Sequence, residues 1–173
     1  MRAMVVYESM FGNTQRVAEA ITEGLRIRLA TDLAEVNDAP HSIGADVRLL
    51  VVGGPTHAFG MSRPKTRHDA MTQAGKDPAS AGIGVREWLE SLSRADDTHA
   101  AAFDTHIDKP IPGSAARAAD KRLRKLGFDI AARAESFYVS GTPGPLVDGE
   151  LARARRWGEQ LAASIPEHAG FNR

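Results

Sequence analysis

Ser9, Gly12, Asn13 and Thr14 follow the first apolar run of the chain and lead directly into a helix-like repeat. Together they offer two hydroxyls, a side-chain amide and a residue without a Cβ. A loop that feeds a helix presents unpaired backbone N–H groups, and the helix dipole adds partial positive charge at the same place. Hydroxyl and amide donors beside those groups make a cradle for an anion. Gly12 would let the backbone come close to it. No lysine or arginine lies from Tyr7 to Thr14, and the GxxxxGK[ST] pattern of a triphosphate loop is absent. A single phosphate monoester held by neutral donors fits these residues. A plain capped helix start fits them too, and the loop alone does not choose.

A second group lies at Gly53-Gly54-Pro55-Thr56-His57-Ala58-Phe59-Gly60, immediately after another apolar run. His57, Asp104 and Ser9 can be drawn as a hydrolytic triad, but no G-x-S-x-G elbow accompanies them. His57, Asp104 and His106 can be drawn as metal ligands, but without the i, i+4 spacing of a helical site. The absence of cysteine removes disulfides, thiolate nucleophiles and iron–sulfur ligation. It also excludes a phosphatase that relies on a thiolate. A phosphoacceptor receiver needs an Asp ending its third strand, where this chain has Gly53-Gly54.

The elements that must position these residues alternate in type. Ala3–Tyr7, a short stretch at Asp32–Val36, Val47–Val52, Ala100–Ile107 and Ser136–Ser140 read as strands, with a further short stretch near Ile130. The near-continuous apolar character of the first, third and fourth suits parallel strands buried on both faces. Val17, Ile21 and Leu25 mark the first helix, and Val85, Trp88, Leu89 and Leu92 another. Ala116, Ala119, Leu123 and Leu126 mark a third, with Ser114 as its N-cap and Gly127 just past its end. Leu151, Ala154, Gly158, Leu161 and Ile165 mark the last, with Asp148 at its cap and Pro166 beyond it. Both tryptophans, Trp88 and Trp157, fall on core stripes. Met61–Gly84 shows no period, collects Arg63, Lys65, Arg67 and His68, and reads as a long loop with a turn of helix. Five strands alternating with helices give one α/β domain, a parallel sheet covered on both faces. In such sheets ligands sit beyond the carboxyl ends of the strands. The loops there are Glu8–Thr14, Gly53–Gly60, Asp104–Ser114 and Thr142–Val147.

The length of 173 residues suits a single domain with its own core. With 22 basic and 22 acidic residues the chain is neutral, which gives no bulk attraction to nucleic acid or to an anionic membrane. No apolar run approaches a membrane span, and the N-terminus lacks a secretory h-region, so a cytoplasmic location is expected. Charge is nonetheless uneven: Arg117, Lys121, Arg122, Arg124 and Lys125 crowd one helix with a single acid, Asp120. That helix could simply face solvent or could meet an acidic partner.

The two loops together resemble those of the flavodoxins. Ser9-x-x-Gly12-Asn13-Thr14 is similar to their phosphate loop after the first strand, [ST]-x-T-G-N-T. Gly53-Gly54-Pro55-Thr56 with His57-Ala58-Phe59-Gly60 is similar to their loop after the third strand, which wraps the flavin ring. Gly144-Pro145-Leu146 and Ala154-Arg155-Arg156-Trp157-Gly158 resemble the approach to their last helix. The resemblance spans nearly the whole chain and implies a short-chain, doubly wound five-stranded sheet of order 2-1-3-4-5, with FMN as cofactor. It puts the FMN phosphate on Ser9, the Met10 backbone, Gly12, Asn13 and Thr14. Pro55, Thr56, His57, Phe59 and Gly60 would border the ring, with Gly60 the candidate to turn its carbonyl toward flavin N5. Thr105 and His106 would supply the third loop. That loop has no Phe, Tyr or Trp from Asp104 to Gly113, which leaves His106 as the ring able to stack. The implied function is an electron carrier with a redox partner protein. An NAD(P)H-dependent quinone-type reductase and an interaction domain without tight FMN binding are the alternatives.

Overall fold

The computed structural model describes residues 1–93 and 96–167. In chain order the elements are β1 (Arg2–Tyr7), α1 (Asn13–Leu25), β2 (Ala30–Glu35), β3 (Val47–His57), β4 (Gly60–Met61), α2 (Pro64–Gln73), α3 (Val85–Ser91), β5 (His99–Ile107), α4 (Ala115–Lys125), β6 (Asp129–Ile130), β7 (Glu135–Val139) and α5 (Glu150–Ser164). A 3₁₀ turn at Pro78–Ser80 lies between α2 and α3.

The main sheet is parallel and runs β2-β1-β3-β5, with β6 and β7 sharing the far edge beside β5. This is the expected 2-1-3-4-5 order, with two differences in count. The fifth position is filled by two short strands, so His99 and Ala100 pair with β6 while Phe103–Ile107 pair with β7. The extra strand β4 folds back antiparallel on the end of β3.

Side-chain alternation along the central strands divides the core in two. Ala3, Val5, Leu49, Val51, Ala101 and Phe103 face α1 and α5, where Val17, Ile21, Leu25, Trp157 and Leu161 cover them. Val6, Leu50, Val52, Ala100 and Ala102 face α3 and α4, with Trp88, Leu89 and Leu123 over them. Strands buried on both faces favour apolar residues, which is why Ala3–Val6, Leu49–Val52 and Ala100–Phe103 run without a polar side chain, and Asp104, Thr105 and His106 of β5 come at its carboxyl end. Phe103, Phe137 and Trp157 meet edge-to-face with centroids 6.0–6.4 Å apart.

α1 and α5 cross at two glycines. A Cβ at Gly158 would stand 2.3 Å from the Ile21 carbonyl oxygen, and one at Gly24 would stand 2.1 Å from that of Arg155. The close crossing fixes α1 against α5 and so fixes where the N-terminus of α1 points.

Two expectations about the helices are corrected. Met61–Gly84 contains a ten-residue helix rather than only a turn. α2 escapes a search for apolar periodicity because its one buried side chain is Arg67. Its guanidinium donates to Ser62 Oγ (2.9 Å) and to Glu87 Oε1 (2.7 Å). At α5 the N-cap is Gly149 (φ 87°), not Asp148, and no side chain caps that end. Ser114 does cap α4, accepting from the Arg117 N–H at 3.2 Å, and Gly127 (φ 89°) follows the helix end.

Candidate functional site

β1, β3 and β5 end side by side, and the loops that leave them meet over the carboxyl edge of the sheet. From β1 the chain passes Glu8 and turns at Gly12, whose φ of 88° is left-handed. A Cβ there would meet no atom within 4 Å, so the conformation, not crowding, calls for glycine. The Gly12 N–H donates to Ser9 Oγ at 3.1 Å and closes the loop on itself. α1 begins at Asn13 with no side-chain cap. The cap reading is therefore not how this helix starts: its first amide groups face the loop without a hydroxyl laid across them.

β3 and β4 form a hairpin whose two turn residues, Ala58 (φ 41°) and Phe59 (φ 73°), are both left-handed. Such turns usually hold Asn or Gly, and an alanine and a phenylalanine here cost about 1–3 kcal/mol each. The loop after β5 supports the tip. Gly113 (φ 90°) lies so close that a Cβ would come within 2.0 Å of the Phe59 carbonyl oxygen. Thr56 anchors the base: its hydroxyl donates to Asp104 Oδ2 (2.9 Å) and accepts from the Ala115 N–H (3.0 Å). Asp104, fully buried, also accepts from Ser114 Oγ (2.6 Å) and from the Ala116 N–H (3.1 Å), a carboxylate at the N-terminus of α4.

Between these loops lies a cavity of about 320 Å³. Of the expected site residues, Met10, Asn13, Thr14, Pro55, Thr56, His57, Phe59, Thr105 and His106 line it. Ser9 and Gly12 line an adjoining groove that shares Met10, Phe11, Thr142 and Pro143 with the cavity. Gly60 pairs with His57 in the hairpin and lines neither space. Thr14 Oγ1 and Thr105 Oγ1 are hydrogen-bonded at 2.8 Å, which ties the β1 loop to β5. Asn13 Nδ2 donates to the Pro143 carbonyl at 2.7 Å, which ties it to the loop after β7.

The histidines are engaged differently. His106 is buried, with Nδ1 2.7 Å from the Ile107 carbonyl oxygen, Nε2 3.1 Å from that of Gly113, and its ring edge-on to Tyr138 at 6.4 Å. A neutral imidazole can donate to only one of those carbonyls. His57 has Nδ1 3.3 Å from Thr66 Oγ1. Burial, and then the Arg67 charge, hold it below the ordinary imidazole value, so it is neutral at pH 7. No triad forms: Ser9 is bonded to Gly12, His57 to Thr66, and Asp104 to Thr56 and the start of α4. Among the described residues, no group of three or more His, Asp or Glu could hold a metal ion.

Behind the β1 loop, Glu8 is buried and accepts from Ser62 Oγ and the Val85 N–H, both at 2.8 Å. Burial raises its pKa above the ordinary carboxyl value, against the pull of those hydrogen bonds and of Arg67. Eight further wall residues were not among the site residues expected from sequence: Phe11, Ala58, Ile107, Ile111, Val139, Gly141, Thr142 and Pro143. Phe11 was within reach, being the aromatic in the middle of the first motif. Ile111 lies in the loop after β5 and is aliphatic, so no aromatic residue marks that wall in the sequence.

The sequence signature of the flavodoxin family matches residues 5–157. The chain belongs to the flavodoxin family. No curated protein matches the sequence. Among solved structures it is similar to oxidised flavodoxin 1 from Bacillus cereus, at 16% identity over 96% of this chain and 100% of that one, with a TM-score of 0.70. It is similar also to an archaeal flavodoxin (20% identity, 95% and 99% of the two chains, TM-score 0.63). A short-chain flavodoxin associated with a bacterial microcompartment gives 16% identity, 96% and 99% coverage and a TM-score of 0.63. At these identities the neighbours speak for the fold alone. The flavodoxin assignment rests on the family signature, and with it come FMN as cofactor and the class of flavin-binding electron carriers. Flavodoxins work with redox partners. Among the described residues no helix is long and apolar enough to cross a membrane.

Proposed function

We propose that this flavodoxin carries electrons between a reductase and an acceptor protein, using FMN seated across the cavity and its adjoining groove, and that residues 1–173 act as one domain. The observation that carries the reading is the continuity of the two spaces. The uncapped start of α1 opens into the groove, and the β3–β4 hairpin walls the cavity. The uncapped amide groups of Asn13 and Thr14, the Ser9 and Thr14 hydroxyls and the Asn13 side-chain amide, with the Met10 backbone, suit a phosphate monoester. Gly12 shapes the turn with its N–H on Ser9 Oγ. A cavity of about 320 Å³ walled by Phe11, Pro55, Phe59 and Ile111 suits a flat aromatic ring, and it falls in the range of small-molecule sites. Thr56, His57, Thr105 and His106 frame that wall, with Thr56, Thr105 and His106 already hydrogen-bonded within the protein, while Gly60 lies outside it in the hairpin. Bound FMN supplies the electron chemistry; the residues here hold it and set its surroundings.

The reductase alternative drew on the basic residues of Met61–Gly84. Arg67 is spent inside the fold against Ser62 and Glu87, which leaves that alternative with less support than the carrier. The interaction-domain alternative drew on the missing aromatic, and Phe11 and Phe59 on the cavity wall weaken it. Arg117, Lys121, Arg124 and Lys125 are exposed along α4. We assign to them a partner with an acidic surface rather than a nucleic acid, since the chain as a whole is neutral.

The experiment loads the protein with FMN and follows NADPH oxidation with and without a flavoprotein reductase, with cytochrome c as final acceptor. A carrier turns over only when the reductase is present. Turnover of NADPH and a quinone by the protein alone would overturn the carrier reading. With the partner present, reversing charge by Lys121→Glu and Arg124→Glu lowers the rate at low salt and leaves it unchanged at high salt.

A further inference from the structure

The loop Tyr7–Thr14 contains no cation, yet a lysine reaches it from outside. Lys76 Nζ donates to the Met10 carbonyl at 3.4 Å. The contact is prepared by the way α2 ends. The Gly75 N–H bonds the Thr72 carbonyl at 3.1 Å, and the Lys76 N–H bonds that of Met71 at 2.9 Å. These two bonds close the helix in a Schellman motif with Gly75 left-handed at φ 68°. The reversal at Gly75 sends the next residue back toward α1. Lys76 then lines the groove that Ser9, Gly12 and Gln15 also line. Its ammonium has three donors, and the Met10 carbonyl is a long contact for one of them.

We infer that Lys76 is the counter-charge of the cofactor's phosphate and sets the preference of this site for the phosphorylated flavin over the unphosphorylated one. The inference rests on the reading of Ser9–Thr14 as the phosphate cradle. A phosphate monoester carries nearly two negative charges at pH 7, whereas the helix dipole offers about half a positive one. Among the residues lining the groove, Lys76 alone brings a full positive charge. Lys76 is exposed, so water and salt screen the attraction, and its effect belongs at low ionic strength. α2 gains a role from this. The helix that shows no apolar stripe is pinned by Arg67 inside the fold, and its C-terminal turn delivers the cation.

The test compares Lys76→Met with the wild-type protein by flavin fluorescence quenching, with FMN and with riboflavin, at about 20 mM and about 500 mM salt. Lys76→Met keeps the apolar stem and leaves the backbone turn intact. It should weaken FMN about fivefold to tenfold at low salt, a charge effect at close range in a largely solvated site. Riboflavin binding stays unchanged, the salt dependence of FMN binding flattens, and Lys76→Arg restores it. Gly75→Ala, which strains the left-handed turn without adding a contact, shifts FMN in the same direction. Unchanged FMN affinity in Lys76→Met overturns the inference while leaving the cradle standing. So does an equal loss for FMN and riboflavin, which marks a structural role. A wild-type protein that binds FMN no better than riboflavin overturns the cradle reading, and this inference with it.

Discussion

Gly158→Ala sets two backbone effects against each other, and the structure says which prevails. Alanine is the better helix former by roughly 0.5–1 kcal/mol, so in an isolated α5 the change would stabilise. In the fold the new Cβ would lie 2.3 Å from the Ile21 carbonyl oxygen, where ordinary contact begins near 3.4 Å. The obstacle is backbone, so no rotamer relieves it, and α1 and α5 must part by about 1 Å. Overpacking of this kind costs about 1–3 kcal/mol, and the upper end applies because the neighbours on both helices lose contact together. The net expectation is a loss of about 1–2 kcal/mol, which for a domain of this size lowers Tm by about 2–8 °C. Urea unfolding followed by tryptophan fluorescence reads it, since Trp88 and Trp157 are both buried. Gly24→Ala meets the same crossing from the other helix, so the double variant should lose less than the two single losses added. Because α1 carries its N-terminus to the groove, FMN affinity falls in the same variants. A Gly158→Ala protein as stable as wild type or more so would refute the close crossing.

Phe59 stands at the hairpin tip, 61% exposed and on the cavity wall. Phe59→Ala should weaken FMN binding about tenfold while changing unfolding stability by no more than about 0.5 kcal/mol; a large stability loss with intact binding would make it a core residue. Gly113→Ala puts a Cβ against the Phe59 carbonyl at a left-handed position, so FMN affinity falls with a loss of stability of about 1–3 kcal/mol, read by titration and thermal unfolding. Glu8 holds its proton to higher pH folded than unfolded. Its contribution is therefore complete below the ordinary carboxyl range and is lost as pH rises through the raised value. The stability difference between wild type and Glu8→Gln measured from pH 4 to 8 should shift against the wild type as pH rises, and a flat difference would contradict the burial assigned to Glu8. Glu150 runs the other way. The Arg153 hydrogen bonds and the Tyr138 N–H depress it, so what it contributes is lost as pH falls through the depressed value, and Glu150→Gln removes that acid sensitivity.

The central strands were legible because burial on both faces favours apolar residues, and β1, β3 and β5 each carry a continuous apolar run, Ala3–Val6, Leu49–Val52 and Ala100–Phe103. α1, α4 and α5 were legible because one face of each is apolar at helical spacing. α2 was not, because what docks it is a buried guanidinium between Ser62 and Glu87, and no pattern of hydrophobicity encodes such a contact. The cap of α5 was misplaced by one residue because a glycine in the left-handed region, not an acidic side chain, turns the chain there. At the site, the two loops named by motif do wall one cavity, and Thr14 meets Thr105 of β5 even though β3 lies between β1 and β5 in the sheet. The left-handed positions Ala58 and Phe59 could not be read from sequence, since neither is a residue that favours them. Lys76 was invisible for a different reason: it joins the first loop across sixty-six residues, through the geometry of a helix end.

The most direct measurement is a titration of the purified apoprotein with FMN, followed by absorbance and by quenching of flavin fluorescence. The account predicts one FMN per chain with a Kd at or below about 1 μM, some −8 kcal/mol, and markedly weaker binding of riboflavin. No binding at hundreds of micromolar FMN, which caps affinity near −5 kcal/mol, would contradict it. Ser9–Thr14 would then be a structural turn in a flavodoxin-shaped domain.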